Sequence, residues 1–141
     1  MTEYVPVRGY QELQNFLKAY ENKQSPIYLY FYGEKDSKGK SWCPDCVDAE
    51  ETIMTAFRNY AGQAIVLVID VGNRDAWMDC SDKNNFRKPP LSLSSIPSLL
   101  HWKGVERLEG DQLLKSSLLE LFFEETSLQS GAPSSAPNIN K

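Results

Sequence analysis

Positive charge is not in excess here. Fifteen Lys and Arg stand against nineteen Asp and Glu, a formal net charge of −4. A phosphate-binding face needs the opposite balance, so nucleic acid is excluded as an expected partner. There is no apolar run long enough to cross a bilayer, so no membrane association is expected. The opening Met1-Thr2-Glu3-Tyr4-Val5-Pro6-Val7 lacks the basic-then-apolar order of a secretory leader. Cysteine is scarce and odd in number, three in 141 residues. A chain of this length can bury an adequate core without disulfide staples. Together these absences give the expectation of a cytoplasmic protein. In that reducing compartment a close cysteine pair is more often catalytic or metal-binding than structural.

What remains is the composition of an ordinary globular protein, 41% hydrophobic and 24% charged. We read one domain over residues 1–125 and a disordered tail over 126–141, rich in Ser, Pro, Asn and Gly. Tyr10, Leu13, Phe16, Leu17 and Tyr20 recur at helical spacing. Ile27 to Tyr32 is a β-branched and aromatic run, and Ala64 to Val71 is continuously apolar. Both read as strands buried on two faces. Between them, Glu34–Ser41 is a charged loop, and Val47, Ile53, Met54 and Phe57 give a second helix its apolar face. Asn73 to Cys80 has room for a short helix, and Ser81 to Pro90 reads as loop. Strands follow at Ile96–Trp102 and Val105–Leu108. A last helix is expected from Gly110-Asp111, with Leu113, Leu114, Leu118, Leu121 and Phe122 turned inward. Alternating helices and strands ending in a hairpin predict an α/β fold with a mixed sheet.

The informative segment is Ser41-Trp42-Cys43-Pro44-Asp45-Cys46-Val47. It follows a strand and loop and opens a helix, the context that makes a C-x-x-C pair a redox motif. Pro44 suits the first helical position, where its missing N–H would be unpaired anyway. Cys43 then stands at the helix N-terminus, where free N–H groups and the positive dipole end favour a thiolate. The thiolate is the form that attacks a disulfide. Cys46, one turn inside, would resolve the mixed disulfide. Asp45 pulls both ways, opposing thiolate charge and favouring the helix start. The competing reading is zinc. Four ligands can be assembled on paper from Cys43, Cys46, Cys80 and His101, the sole histidine. No second close pair exists, however, and Pro44 and Trp42 suit a redox loop, so no metal is expected.

Ile96-Pro97-Ser98 is the second signal. A cis bond at Pro97 would leave the backbone of Ile96 able to pair with a peptide or cystine-like substrate. Trp42 would line the reactive surface and Trp102 the core. Cys80 reads as an unpaired thiol without a role, against a regulatory one. His101 reads as non-catalytic.

At Trp42-Cys43-Pro44-Asp45-Cys46 and Ile96-Pro97-Ser98-Leu99-Leu100 the chain resembles the thioredoxin superfamily. More closely it resembles the WCPDC proteins of the thioredoxin domain-containing protein 17 or Clot type. Asn84-Asn85-Phe86-Arg87 and the charged loop before Trp42 share the likeness. The resemblance implies a thioredoxin fold, a three-layer sandwich with a central mixed sheet flanked by helices. It implies Cys43 as nucleophile, Cys46 as resolving thiol, Pro97 as the cis-proline, and Pro44 and Asp45 as redox-tuning residues. Trp42, Ile96 and Pro97 would contact substrate. It implies no bound cofactor, with electrons from NADPH through thioredoxin reductase as partner, and a monomer by default. Substrates would be small disulfides such as cystine and selected protein disulfides, and some members are credited with peroxidase activity. The alternative is a binding or signalling module that uses the dithiol as a switch. Two departures from ordinary thioredoxin stand out. Tyr30 occupies the place of the buried Asp that assists the resolving thiol, so water or Asp45 would have to serve. The loops Glu34–Ser41 and Cys80–Pro90 are longer, and are expected to wall the site.

Overall fold

The computed structural model describes residues 1–129. Its elements run β1 (Glu3–Arg8), α1 (Gly9–Ala19), β2 (Ile27–Tyr32), α2 (Pro44–Ala56), β3 (Ile65–Asp70), α3 (Arg74–Met78), β4 (Ser98–His101), β5 (Arg107–Glu109) and α4 (Ser116–Gln129). The five strands form one sheet in the order β1-β3-β2-β4-β5. β1, β3 and β2 are parallel, and β4 and β5 return antiparallel.

Alternation along β2 sends its side chains into two cores. Leu29 and Phe31 meet Leu13 and Leu17 of α1 and Trp77 of α3. Tyr28 and Tyr30 meet Ala49 and Ile53 of α2 and Phe122 and Phe123 of α4. Helices therefore cover both faces of a mixed sheet, as expected, and β2 takes the central place.

Three expectations are corrected. The chain opens on a strand, not on a helix. Pro6 disguises β1, but among the described residues β1 pairs with β3 alone, and an edge strand tolerates a proline. The last helix does not start at Gly110. Gly110–Leu114 is a tight 3₁₀ turn, and Lys115 is extended. That break resets the helical phase, so Leu119, Phe122, Phe123 and Thr126 face inward while Leu114 and Leu121 are exposed. The domain boundary expected at 125 falls inside α4. Thr126 is fully buried, and its hydroxyl lies 2.9 Å from the Tyr28 hydroxyl. The rest of the expected tail, 130–141, lies outside the described residues. Lesser differences are an exposed Val47 on α2 and a half-buried Trp102.

Candidate active site

The site forms where β2 ends and α2 begins. The intervening loop is closed on itself. Lys35 bridges to Ser41, and the Asp36 carboxylate accepts the N–H groups of Lys38 and Lys40 at 2.8 and 3.0 Å. Lys35 ties the loop to α2 through Glu50, at 2.7 Å. Ser41 holds the end of the loop. Its hydroxyl donates to the Gly33 carbonyl at 2.7 Å and accepts the Cys43 N–H at 3.1 Å. The Trp42 indole donates to the Gly72 carbonyl at 2.8 Å and lies flat against Gly33. A Cβ on Gly33 would come within 2.7 Å of that ring, so the close approach requires glycine.

Cys43 is the N-cap of α2 and Pro44 its first residue. The Cys43 sulfur accepts the Cys46 N–H at 3.2 Å. This is a sulfur in the role that a Ser or Asp oxygen plays in other caps. Both cysteines are free thiols, and both are buried. The Cys46 thiol donates to Cys43, which is the main reason the Cys43 thiol is held below its ordinary value. Burial opposes this and the Cys46 N–H assists it. The same hydrogen bond, with burial, pushes Cys46 far up. One sulfur is thus prepared as thiolate and the other kept protonated. Asp45 acts in both directions. Its exposed carboxylate raises the Cys43 thiol, and its backbone N–H lowers it.

The loop before β4 completes the surround. The Ile96–Pro97 bond is cis, and the Ile96 carbonyl lies 3.8 Å from the Cys43 sulfur. The sequence-selected residues Trp42, Cys43, Pro44, Asp45, Cys46, Ile96 and Pro97 therefore meet at one end of the sheet. Cys80 is exposed and His101 sits at the opposite end, across from Tyr28. The four-ligand zinc set does not converge. Among the described residues no group of three or more His, Cys, Asp and Glu does.

The two long loops differ. A cleft of about 420 Å³ beside Trp42 is lined by loop residues such as Lys35 and Lys40 and by Arg74 at the start of α3. The Cys80–Pro90 connection contributes nothing to this cleft. It folds back on Trp77, with Arg87 stacked 4.1 Å over the ring and Asn84 bonded to three carbonyls. Of the two loops expected to wall the site, the first lines a cleft that includes Trp42 and the second does not. Sequence reasoning missed the roles of Ser41 and Gly33. A serine two residues before the cysteine and a glycine ending the strand are the signals it had.

Residues 6–125 match the family model described as the thioredoxin domain-containing protein 17-like thioredoxin domain. Thioredoxin domain-containing protein 17 of Mus musculus is 36% identical over 123 residues, covering 87% of this chain and 96% of that protein. The Danio rerio protein of the same name is 36% identical over 124 residues, with the same coverage. The thioredoxin-like protein Clot of Arabidopsis thaliana is 30% identical over 102 residues, 68% of this chain and 75% of its own length. Among solved structures, reduced Schistosoma mansoni thioredoxin superposes with a TM-score of 0.58 at 15% identity, covering 87% of this chain and 97% of that one. The fold is the thioredoxin fold.

Proposed function

The chain belongs to the thioredoxin domain-containing protein 17-like family, and from that premise we propose that it is a disulfide reductase working through Cys43 and Cys46. Family and fold support a redox role. The observation that carries the finer reading is the Cys43 sulfur, capped by the Cys46 N–H at 3.2 Å and facing the Ile96 carbonyl at 3.8 Å. The Cys43 thiolate attacks one sulfur of the substrate, a mixed disulfide forms, and the other substrate sulfur leaves as a thiolate. Cys46 then attacks Cys43, forming the intramolecular disulfide and releasing the second substrate thiol. Ile96 and Pro97 align the substrate backbone, Trp42 floors the site, and Pro44 and Asp45 tune the thiols. The chain holds no cofactor of its own. It acts in the cytoplasm as a monomer, and NADPH supplies two electrons through thioredoxin reductase. A peroxide can take the substrate's place. The Cys43 thiolate takes one peroxide oxygen as the O–O bond breaks, the other oxygen leaves as hydroxide or alkoxide, and Cys46 condenses the resulting sulfenic acid to the same disulfide with loss of water. The cleft beside Trp42 supports a preference for small disulfides such as cystine over bulky protein ones.

The test is NADPH consumption by thioredoxin reductase coupled to this protein, comparing cystine with insulin. Turnover of cystine with little insulin reduction, abolished by Cys43→Ser, is expected. Equal turnover of insulin would remove the narrow substrate range. No turnover of either, with both thiols free, would leave the binding-module reading.

A further inference from the structure

The outer flank of α2 carries a groove that the proposed chemistry does not use. Its volume is about 410 Å³. Asp48, Glu51 and Thr55 line it from α2, and Leu114 and Ser116 from the break before α4. Its far end includes Tyr60, which lies in a single π turn, Phe57–Ala61, that continues α2. Such turns are rare and recur at functional sites. Tyr60 and Leu114 are 41% and 42% exposed, so the groove leaves two large apolar side chains in water. Tyr60 is held in place, its ring 6.4 Å from that of Phe123. The charge along the groove is uneven. Asp48 and Glu51 are three residues apart on α2, hence neighbours on one face. Neither has an ion-pair partner among the described residues, whereas Glu50 beside them is paired with Lys35. Among the described residues no cation lines the groove. Two stand near its far end. Arg58 donates to Thr55 Oγ1 at 3.1 Å, and Lys115 lies between Leu114 and Ser116 in the chain.

We propose that this groove docks a basic segment of a partner protein, with two Lys or Arg side chains on Asp48 and Glu51 and one aliphatic side chain against Tyr60 and Leu114. Two neighbouring carboxylates without a cation repel each other, and a cationic pair relieves that repulsion. The aliphatic side chain takes the exposed Tyr60 and Leu114 out of water. From the midpoint of Asp48 and Glu51 to Tyr60 is roughly 15 Å along the helix axis, at about 1.5 Å a residue. Extended chain covers that distance in roughly four to five residues. Arg58 and Lys115 repel a basic residue at the Tyr60 end, so the segment lies in one orientation. A second copy of this chain fits poorly, because a two-fold contact would set the carboxylates of one groove against those of the other. The docking needs no thiol chemistry, so it goes beyond the reductase reading and stands or falls apart from it.

The experiment is fluorescence anisotropy with a labelled peptide titrated by the reduced full chain at low salt. The peptide is capped at both ends and holds two adjacent arginines, a Gly-Ser-Gly spacer and a leucine, and it is made in both chain directions. Binding in at least one direction is expected, and it weakens as salt rises. Asp48→Asn with Glu51→Gln weakens it about tenfold or more, since both charge pairs are lost. Leu114→Gln weakens it about threefold to tenfold by removing the apolar contact. Glu21→Gln with Asp82→Asn removes the same charge from the chain just after α1 and α3, and leaves affinity within about twofold. All five positions are exposed, so these variants keep the core intact. Equal loss in the Glu21 and Asp82 variant means diffuse attraction by net charge and overturns the site. Full affinity in Leu114→Gln overturns it, as does an absence of binding in both directions. Self-association of the chain that Leu114→Gln abolishes places a second copy in the groove and overturns the basic partner.

Discussion

The two ends of the sheet each bury a pair of titratable groups, and the pairs do different things. At the end of β2 the pair is Cys43 and Cys46. At the other end it is His101, whose Nδ1 lies 2.9 Å from Glu106 Oε1, both side chains under 10% exposed. The second pair is tied into its own hairpin. The His101 N–H donates to the Glu106 carbonyl at 3.1 Å, and the Gly104 N–H closes the turn on the His101 carbonyl. The cysteine pair draws on two distant segments instead. The Cys43 sulfur faces a backbone carbonyl belonging to a loop 53 residues away. Burial and pairing alone do not mark a site. Nor does a cleft, since His101 and Glu106 line one of about 490 Å³; what separates the two ends is that one pair joins two thiols able to exchange with a disulfide and the other an imidazole and a carboxylate held within one hairpin.

Each pair is guarded by a glycine, and the same substitution should give opposite readouts at the two ends. Gly104→Ala gives the larger effect. Its Cβ would collide with His101 Nδ1 and come within 2.7 Å of Glu106 Oε1. Accommodating it means splitting a buried pair or distorting the turn, at a cost of about 2–4 kcal/mol. Urea unfolding should report that loss, while reductase activity of the folded protein stays within about twofold. A fall in activity without lost stability would mean that the hairpin end takes part in turnover. Gly33→Ala is the counterpart. Its Cβ would push the Trp42 indole away, and the Gly33 N–H lies against Cys46. Here cystine turnover should fall about tenfold, since a misplacement near 1 Å can cost that much or more. Turnover that survives intact would remove Trp42 from the proposed substrate surface.

The cysteine end was the more legible because its determinants are local. The cap, the proline at the first helical position and the three-residue spacing of the sulfurs all lie within Cys43 to Cys46. β1 was not legible. Its partner is β3, Glu3 facing Ile65, and Pro6 hides the alternation of Tyr4, Val5 and Val7. The phase of α4 was lost at Lys115, where the chain breaks without a glycine or proline to announce it. The meeting of Ile96 with Cys43 followed from a family resemblance rather than from spacing.

The smallest expected effect concerns Asp45, whose sequence-level sign was open. The two contributions now separate by atom. The carboxylate opposes the Cys43 thiolate, and the backbone N–H supports it. Asp45→Asn removes the first and keeps the second, so it should make Cys43 more acidic. The group is exposed and screened by solvent. A single charge about 6 Å away in water is worth about 0.7 kcal/mol, or roughly a twofold to threefold change. Iodoacetamide reacts with the thiolate, so alkylation of Cys43 should slow as falling pH protonates it. That fall should begin below the ordinary thiol range, because the hydrogen bond from Cys46 holds Cys43 down. Below the midpoint Asp45→Asn should alkylate about twofold to threefold faster than the unsubstituted protein, and added salt should shrink the difference. Slower alkylation would mean that the carboxylate acts mainly by favouring the helix start, and that its charge is not felt at the sulfur. Faster alkylation also predicts a more oxidising dithiol, since stabilising the thiolate stabilises the reduced form. On that reading Asp45 keeps the site a reductase by holding Cys43 back from full acidity.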